Sequence, residues 1–363
     1  MLDADTLRER LTEWLPPRVG AASVTITDLT PPSGTGYSSE TLLFTARYTL
    51  DGNDEERRYV ARLKPTRPGV FPEYDIDLQH DLMAALAAST TIPVPEMLWQ
   101  ESDVGVLGTP FFVMSYVRGR VPSDNPPYSL GGWILDEPAA RRRALHTSAL
   151  DVLCRIHRLD PHETLGPVAS RLRRGLDEEL AYYESFFAWA AQGRPQPVAE
   201  KAWDWVQANR PTGELPTGIS WGDSRISNML FGDDLRPVAV LDWEMASLND
   251  PEMDLGWWLF LDRHFTVGMD VGQPAGFLSR DETIAYWEHA VGRSADNVDF
   301  WEMYAGLRFA VVMMSLTRLF IADGLMPPDT DFDRNNTVTQ CLAPMLGLPH
   351  PGEIARPEGW LTS

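Results

Sequence analysis

The stretch that most limits what this chain can become is residues 219–256. Inside it, 229–231 and 237–241 are short apolar runs separated by Gly232-Asp233-Asp234, the pattern of a β-hairpin. Folding back on that turn sets Asn228 beside Asp242 at the hairpin's open end. Asp223 lies five residues before Asn228, on the segment that feeds the first strand. Local geometry alone therefore gathers three oxygen-bearing side chains.

Asp-x-x-x-x-Asn with a second Asp after the next strand is the spacing that phosphoryl transfer uses. The first Asp accepts the proton of an attacking hydroxyl, and the Asn and second Asp hold Mg²⁺ on the nucleotide phosphates. Hard divalent cations favour such carboxylate and amide oxygens. Arg225, two residues past Asp223, can offset charge that develops on the transferred group. The elements Trp221-Gly222-Asp223-Ser224-Arg225-Ile226-Ser227-Asn228, Leu241-Asp242-Trp243-Glu244 and Asn249-Asp250-Pro251-Glu252-Met253-Asp254-Leu255 resemble the aminoglycoside phosphotransferase and choline kinase-like family. That family reads His-Gly-Asp-x-x-x-x-Asn, Ile-Asp-Trp-Glu and Gly-Asp-Pro-x-x-Asp-Leu. Trp221 stands where the family has a loop-supporting His, and Asp254 matches the Asp that braces the catalytic loop.

The resemblance implies an α+β, two-lobed protein-kinase-like fold, with a β-rich nucleotide lobe over 1–117 and a larger helical lobe over 118–363. It implies ATP or GTP as donor, Mg²⁺ as cofactor and a small-molecule hydroxyl as acceptor. In the first lobe, residues 3–15 carry Leu7, Leu11 and Trp14 at helical spacing up to Pro16-Pro17. Strands follow over 22–29, 41–49 and 58–63. The turn Ser33-Gly34-Thr35-Gly36 reads as a hairpin loop or as a backbone cover for phosphates; its place ahead of the catalytic loop favours the cover. Arg62 aligns with the family's phosphate-pairing cation, and Lys64 shares its face by period-two alternation. A helix over 75–88 has Leu78, Leu82, Ala85 and Leu86 as its expected core stripe. Gln79 on it stands where the family pairs a Glu with the strand cation. The apolar run 109–117, with Met114 and Tyr116, matches the family's adenine-contacting strand before the hinge.

Beyond the hinge, helical patterns dominate. Residues 139–158 carry Leu145, Ala149, Val152, Leu153 and Ile156 on one stripe, ending at His157, which reads as a packing residue because Asp223 already supplies the base. Asp250 before Pro251 reads as a helix cap. Trp257 and Trp258 are candidates to line an acceptor pocket, although aromatics at this spacing are first of all core. Asp299 and Glu302 are candidates to hold a cationic acceptor group. Family members act on aminoglycosides, macrolides, choline, homoserine and sugars, and a fold does not choose among them.

Composition narrows the partners. A formal charge of −21 repels nucleic acid and anionic membranes. Two cysteines, Cys154 and Cys341, make no disulfide framework and lack metal-ligand spacing, which suits a reducing compartment. The first residues have neither the basic flank nor the apolar core of a signal peptide. The longest apolar run, 309–316, is far short of the roughly 18 residues of a membrane span. The expectation is a cytoplasmic protein bound to no membrane, with nucleotide and acceptor as its partners and no oligomeric state implied.

Overall fold

The computed structural model describes residues 2–30 and 40–354 of the 363; the Ser33–Gly36 turn lies outside them. The chain divides into two compact units, Met1–Ala88 with Val94–Val117, and Ser89–Pro93 with Arg118–Ser363.

In the first unit β1 (Val24–Thr30), β2 (Glu40–Leu50), β3 (Asn53–Leu63), β4 (Met97–Glu101) and β5 (Phe111–Ser115) form an antiparallel sheet in the order β1-β2-β3-β5-β4. Period-two alternation puts Leu42, Phe44, Ala46 and Tyr48 of β2 and Tyr59, Ala61 and Leu63 of β3 on one face. There they pack in one cluster with Leu7, Leu11 and Trp14 of the Ala4–Trp14 helix. Arg62 and Lys64 point away from that cluster, half-buried and exposed respectively. β4 begins only at Met97, after Pro93 and Pro95, which offer no N–H to a ladder. The expected helix over 75–88 spans Ile76–Ser89, and its buried stripe is Ile76, Gln79, Leu82, Met83 and Leu86. Leu78 and Ala85, expected inside, are only half-buried; Ile76 and Met83 set the helical phase and bring Gln79 inward in their place.

In the second unit the Glu252–Phe265 and Val298–Ala322 helices pack closely together. A Cβ on Gly256 would come within 2.4 Å of the Trp301 carbonyl carbon, so glycine is what permits this approach. The Val298–Ala322 helix is long and apolar enough to cross a membrane by length and composition, which corrects the expectation that nothing approached that length. It is buried all round in its first half, since every residue from 300 to 308, more than two full turns, is buried. Such a helix equally suits the centre of a protein core. Arg308 and Glu302, which break the apolar run, are buried with partners described below.

Candidate functional site

The loop around Asp223 is built from short pairings. β6 (Gly218–Ser220) runs antiparallel to β9 (Ser247–Asn249), and β7 (Met229–Phe231) to β8 (Pro237–Val240) with Met229 opposite Val240. The ladder continues one step past the strand, where Leu241 N donates to Asn228 O at 2.9 Å. Asn228 and Asp242 are thus neighbours, as the hairpin pattern predicts. Gly222 has φ +93°, and a Cβ there would lie 2.3 Å from the Met245 carbonyl oxygen; only glycine fits. Asp242 itself takes φ +61°, a left-handed conformation that costs a non-glycine residue about 1 kcal/mol.

Asp254 holds this loop from behind. Its Oδ2 accepts from Trp221 N at 2.6 Å, and its Oδ1 accepts from Gly222 N at 2.9 Å and Ser220 Oγ at 2.7 Å. Its backbone oxygen accepts from Ser224 Oγ at 2.8 Å. His157 Nε2 completes the set at 3.2 Å from Oδ2. Trp287 Nε1 donates to His157 Nδ1 at 2.8 Å. Since an indole nitrogen only donates, His157 is the neutral tautomer protonated at Nε2. It is a bracing residue rather than a base. Burial alone would raise the Asp254 carboxyl, but the bonds from His157, Ser220 and Gly222 outweigh it and hold the group below its ordinary range.

Trp221, fully buried, donates from Nε1 to the carbonyls of Leu241 at 2.9 Å and Asp242 at 3.1 Å. The residue that departs from the family pattern thereby ties the Asp223 loop to the Asp242 turn. Asp223 in turn is held by three donors: Trp257 Nε1 to Oδ1 at 2.8 Å, Asn228 Nδ2 to Oδ2 at 2.7 Å and Arg225 Nε to Oδ2 at 3.1 Å. Arg225 also bonds Asp124 through Nη1. Burial works against its charge, but Asp124, Asp223 and Asp242 raise its pKa and keep it cationic. His264, seven residues after Trp257 on the same helix face, is pushed down to about 3 by burial and by Arg225, so it is neutral.

The donor set suits a hard cation. Asn228 gives its amide nitrogen to Asp223, and no hydrogen bond from a described residue reaches its Oδ1. With the Asp242 carboxylate at the adjoining ladder position, this makes an amide and a carboxylate oxygen. No group of three or more His, Cys, Asp or Glu suited to a metal exists among the described residues. An ion held here would complete its shell with phosphate and water oxygens, which is the habit of Mg²⁺.

Other expected residues fall elsewhere. Trp258 is core, edge-on to the His146 ring at 5.6 Å. Trp257 is at the site, where its indole donates a hydrogen bond to Asp223. Asp299 and Glu302 are already matched by arginines: Glu302 accepts from Arg263 at 2.7 Å and from Arg280 at 2.8 Å, and Asp299 pairs with Arg280. That pairing removes the free charge a cationic acceptor would need. Asp250, expected as a cap, accepts from Glu252 N at 3.0 Å and also pairs with Arg293. In the first unit Arg62 donates to Thr41 Oγ1 at 3.3 Å, and Arg58 lies over the Tyr116 ring at 4.2 Å. Met114 faces Val60 across the ladder, and Gln79 is buried. Arg308 and Asp124 were not anticipated. A lone cation inside the mainly apolar run 300–316 was the available signal for Arg308; nothing local marks Asp124.

The chain is 25% identical over 300 residues to the probable acyl-CoA dehydrogenase IBR3 of Arabidopsis thaliana, covering 77% of this chain and 35% of that protein. It is 32% identical over 207 residues to acyl-CoA dehydrogenase family member 10 of Mus musculus, covering 56% of this chain and 18% of that protein. The chain therefore spans about a third or less of the length of these relatives. Among solved structures, a candidate aminoglycoside phosphotransferase from Ralstonia eutropha superposes with TM-score 0.66 at 21% identity, covering 93% of this chain and 95% of the other. A thermostable mutant of the aminoglycoside phosphotransferase APH(4)-Ia, in ternary complex with ADP and hygromycin B, gives TM-score 0.53 at 14% identity over 93% and 98%. The fold is thus that of these kinase-like phosphotransferases. The sequence model of the phosphotransferase enzyme family matches residues 35–289, well over half of the chain, and the chain belongs to that family.

Proposed function

We propose that this protein transfers the γ-phosphoryl group of ATP to a hydroxyl of a small molecule, with Asp223 orienting and deprotonating that hydroxyl. The observation that carries the reading is the triple anchoring of Asp223 by Trp257, Asn228 and Arg225 beside the Asn228–Asp242 oxygen pair. A carboxylate so fixed meets its substrate without reorganising, which is where positioning lowers a barrier. Asn228 Oδ1 and the Asp242 carboxylate would hold Mg²⁺, which when bound neutralises charge on the phosphates. Arg225, kept cationic by its three acidic neighbours, would exchange part of its pairing for the transferred group. Arg62, with Lys64 beside it, would meet the remaining phosphates, supported by the buried Gln79. Met114 and Tyr116 would take the base, and the Ser33–Gly36 turn would cover the phosphates.

For the acceptor, two observations favour an alcohol without cationic groups over a polycation. Glu302 and Asp299 are consumed by arginines, and the sequence relatives bear the name acyl-CoA dehydrogenase. A hydroxylated acyl-CoA is therefore the first acceptor to try. The test is Mg²⁺-dependent ADP formation from ATP against hydroxyacyl-CoA esters, hygromycin B, a macrolide, amino alcohols and sugars, with Asp223→Ala as control. Turnover with one class, lost in the variant, is expected. Absence of Mg-ATP binding by calorimetry would sink the proposal.

A further inference from the structure

A buried cation lies beneath the Asp223 loop that the chemistry above does not use. Arg308 is 0% exposed, its Nε lies 3.9 Å from Glu179 Oε1 and its guanidinium 5.1 Å from the Tyr183 ring, and among the described residues its Nε and Nη1 have no well-formed hydrogen bond. Glu179 is shared, since its other oxygen accepts from Arg173 Nε at 3.0 Å. Packing alone gives no reason for a charge here: an apolar side chain of similar volume fills such a space without the desolvation cost.

Two of the contacts Arg308 makes lead to Asp223. Its Nη2 donates to the carbonyl of Gly222, the preceding residue, at 3.3 Å. Its guanidinium carbon lies 4.7 Å from the centroid of the Trp257 ring, and Trp257 donates to Asp223 Oδ1 at 2.8 Å. A cation on an indole face draws density from the ring and makes its N–H a stronger donor.

Counting lone pairs then singles out one oxygen. A carboxylate offers about four acceptor sites, two on each oxygen. Asn228 and Arg225 fill those on Oδ2, and Trp257 takes one on Oδ1. The site left is on Oδ1. We propose that Trp257 and Arg308 are a positioning pair for Asp223: the indole fixes Oδ1 as the oxygen that takes the acceptor's proton, and Arg308 polarises the indole and pins the Gly222 carbonyl. This rests on Asp223 being the base, so the test includes a readout that needs no turnover.

In the full chain labelled with ¹⁵N-tryptophan, the Trp257 indole N–H resonance is assigned by its loss in Trp257→Phe. It is expected downfield in the wild type and shifted upfield in both Asp223→Asn and Arg308→Met, with Arg308→Lys between. In parallel, ADP formation from Mg-ATP with water as acceptor is expected to fall about tenfold in Arg308→Met, the equivalent of one charge-assisted hydrogen bond. KM for ATP and the thermal midpoint should hold, and Arg308→Lys should recover part of the rate. An indole resonance indifferent to Arg308→Met, or an Arg308→Met protein that unfolds or loses stability and rate together, would overturn the pair and make Arg308 a structural residue. A wild type that forms no ADP would count against the phosphotransfer reading, while the resonance still decides the pair.

Discussion

Asp254→Asn swaps one carboxylate oxygen for an NH₂ at almost unchanged volume, so its effect is read from hydrogen bonds alone. If the new NH₂ replaced Oδ2, it would face Trp221 N and His157 Nε2. His157 cannot move its proton to Nδ1 to compensate, because the Trp287 indole N–H already occupies that nitrogen. If it replaced Oδ1, it would face Ser220 Oγ and Gly222 N; the serine hydroxyl can rotate to accept, and only Gly222 N is orphaned. The second orientation is the cheaper. It leaves one buried N–H unsatisfied, about 1–3 kcal/mol, and weakens the bonds from Trp221 and His157 from charged to neutral, about 1 kcal/mol each. The expected destabilisation is therefore about 3–5 kcal/mol, a large share of the roughly 5–15 kcal/mol of a typical domain. Urea unfolding followed by tryptophan fluorescence measures it. Because the folded carboxyl lies below its unfolded value, its contribution is complete above the usual aspartate range and is lost as pH falls through the folded value; the variant lacks this acid limb. A loss under about 1 kcal/mol, or a variant with the wild-type acid limb, would refute the account of Asp254 as the loop's anchor.

Asn228→Ala removes both the donor to Asp223 Oδ2 and the proposed metal oxygen; the rate of ADP formation should fall at least about a hundredfold, with a higher Mg²⁺ concentration for half-maximal rate. A Mg²⁺ titration checks this. Gly256→Ala drives a Cβ to 2.4 Å from the Trp301 backbone; backbone cannot rotate aside, so a cost of about 2–3 kcal/mol is expected, read as a fall in thermal midpoint. Glu252 is buried beside Asp250, which raises it to about 7. A carboxyl raised on folding favours the folded state at low pH and loses that effect as pH rises through about 7. Thermal midpoints should decline between about pH 4.5 and 7 in the wild type, level off above that, and decline less in Glu252→Gln.

Legibility followed sequence distance. The Asn228–Asp242 juxtaposition was readable because a hairpin is a local structure whose register its own turn sets. Asp254 was readable by spacing from the same motif. The core stripe of the Ala139–His157 helix was readable from periodicity, and all five of its expected residues are buried. The Ile76–Ser89 helix was misphased because its stripe was anchored on Leu78 without Ile76.

What the chain's order of residues determined by itself was therefore the phosphotransfer signature, the strand that carries Arg62 and the family these imply, since each depends on neighbours within a turn or a hairpin. Tertiary structure alone decided the fate of the acidic and aromatic candidates. Glu302 meets Arg263 39 residues away and Arg280 22 residues away. Trp257 and Trp258 are chemically alike, yet one helical step turns the first onto Asp223 and the second into the core beside His146. The apolar Val298–Ala322 helix reads the same whether lipid or protein surrounds it, and here the buried residues on all its faces show which neighbours it has. Burial, charge pairing and helical phase between distant segments are pairwise properties of packed elements, and no window of sequence contains both partners.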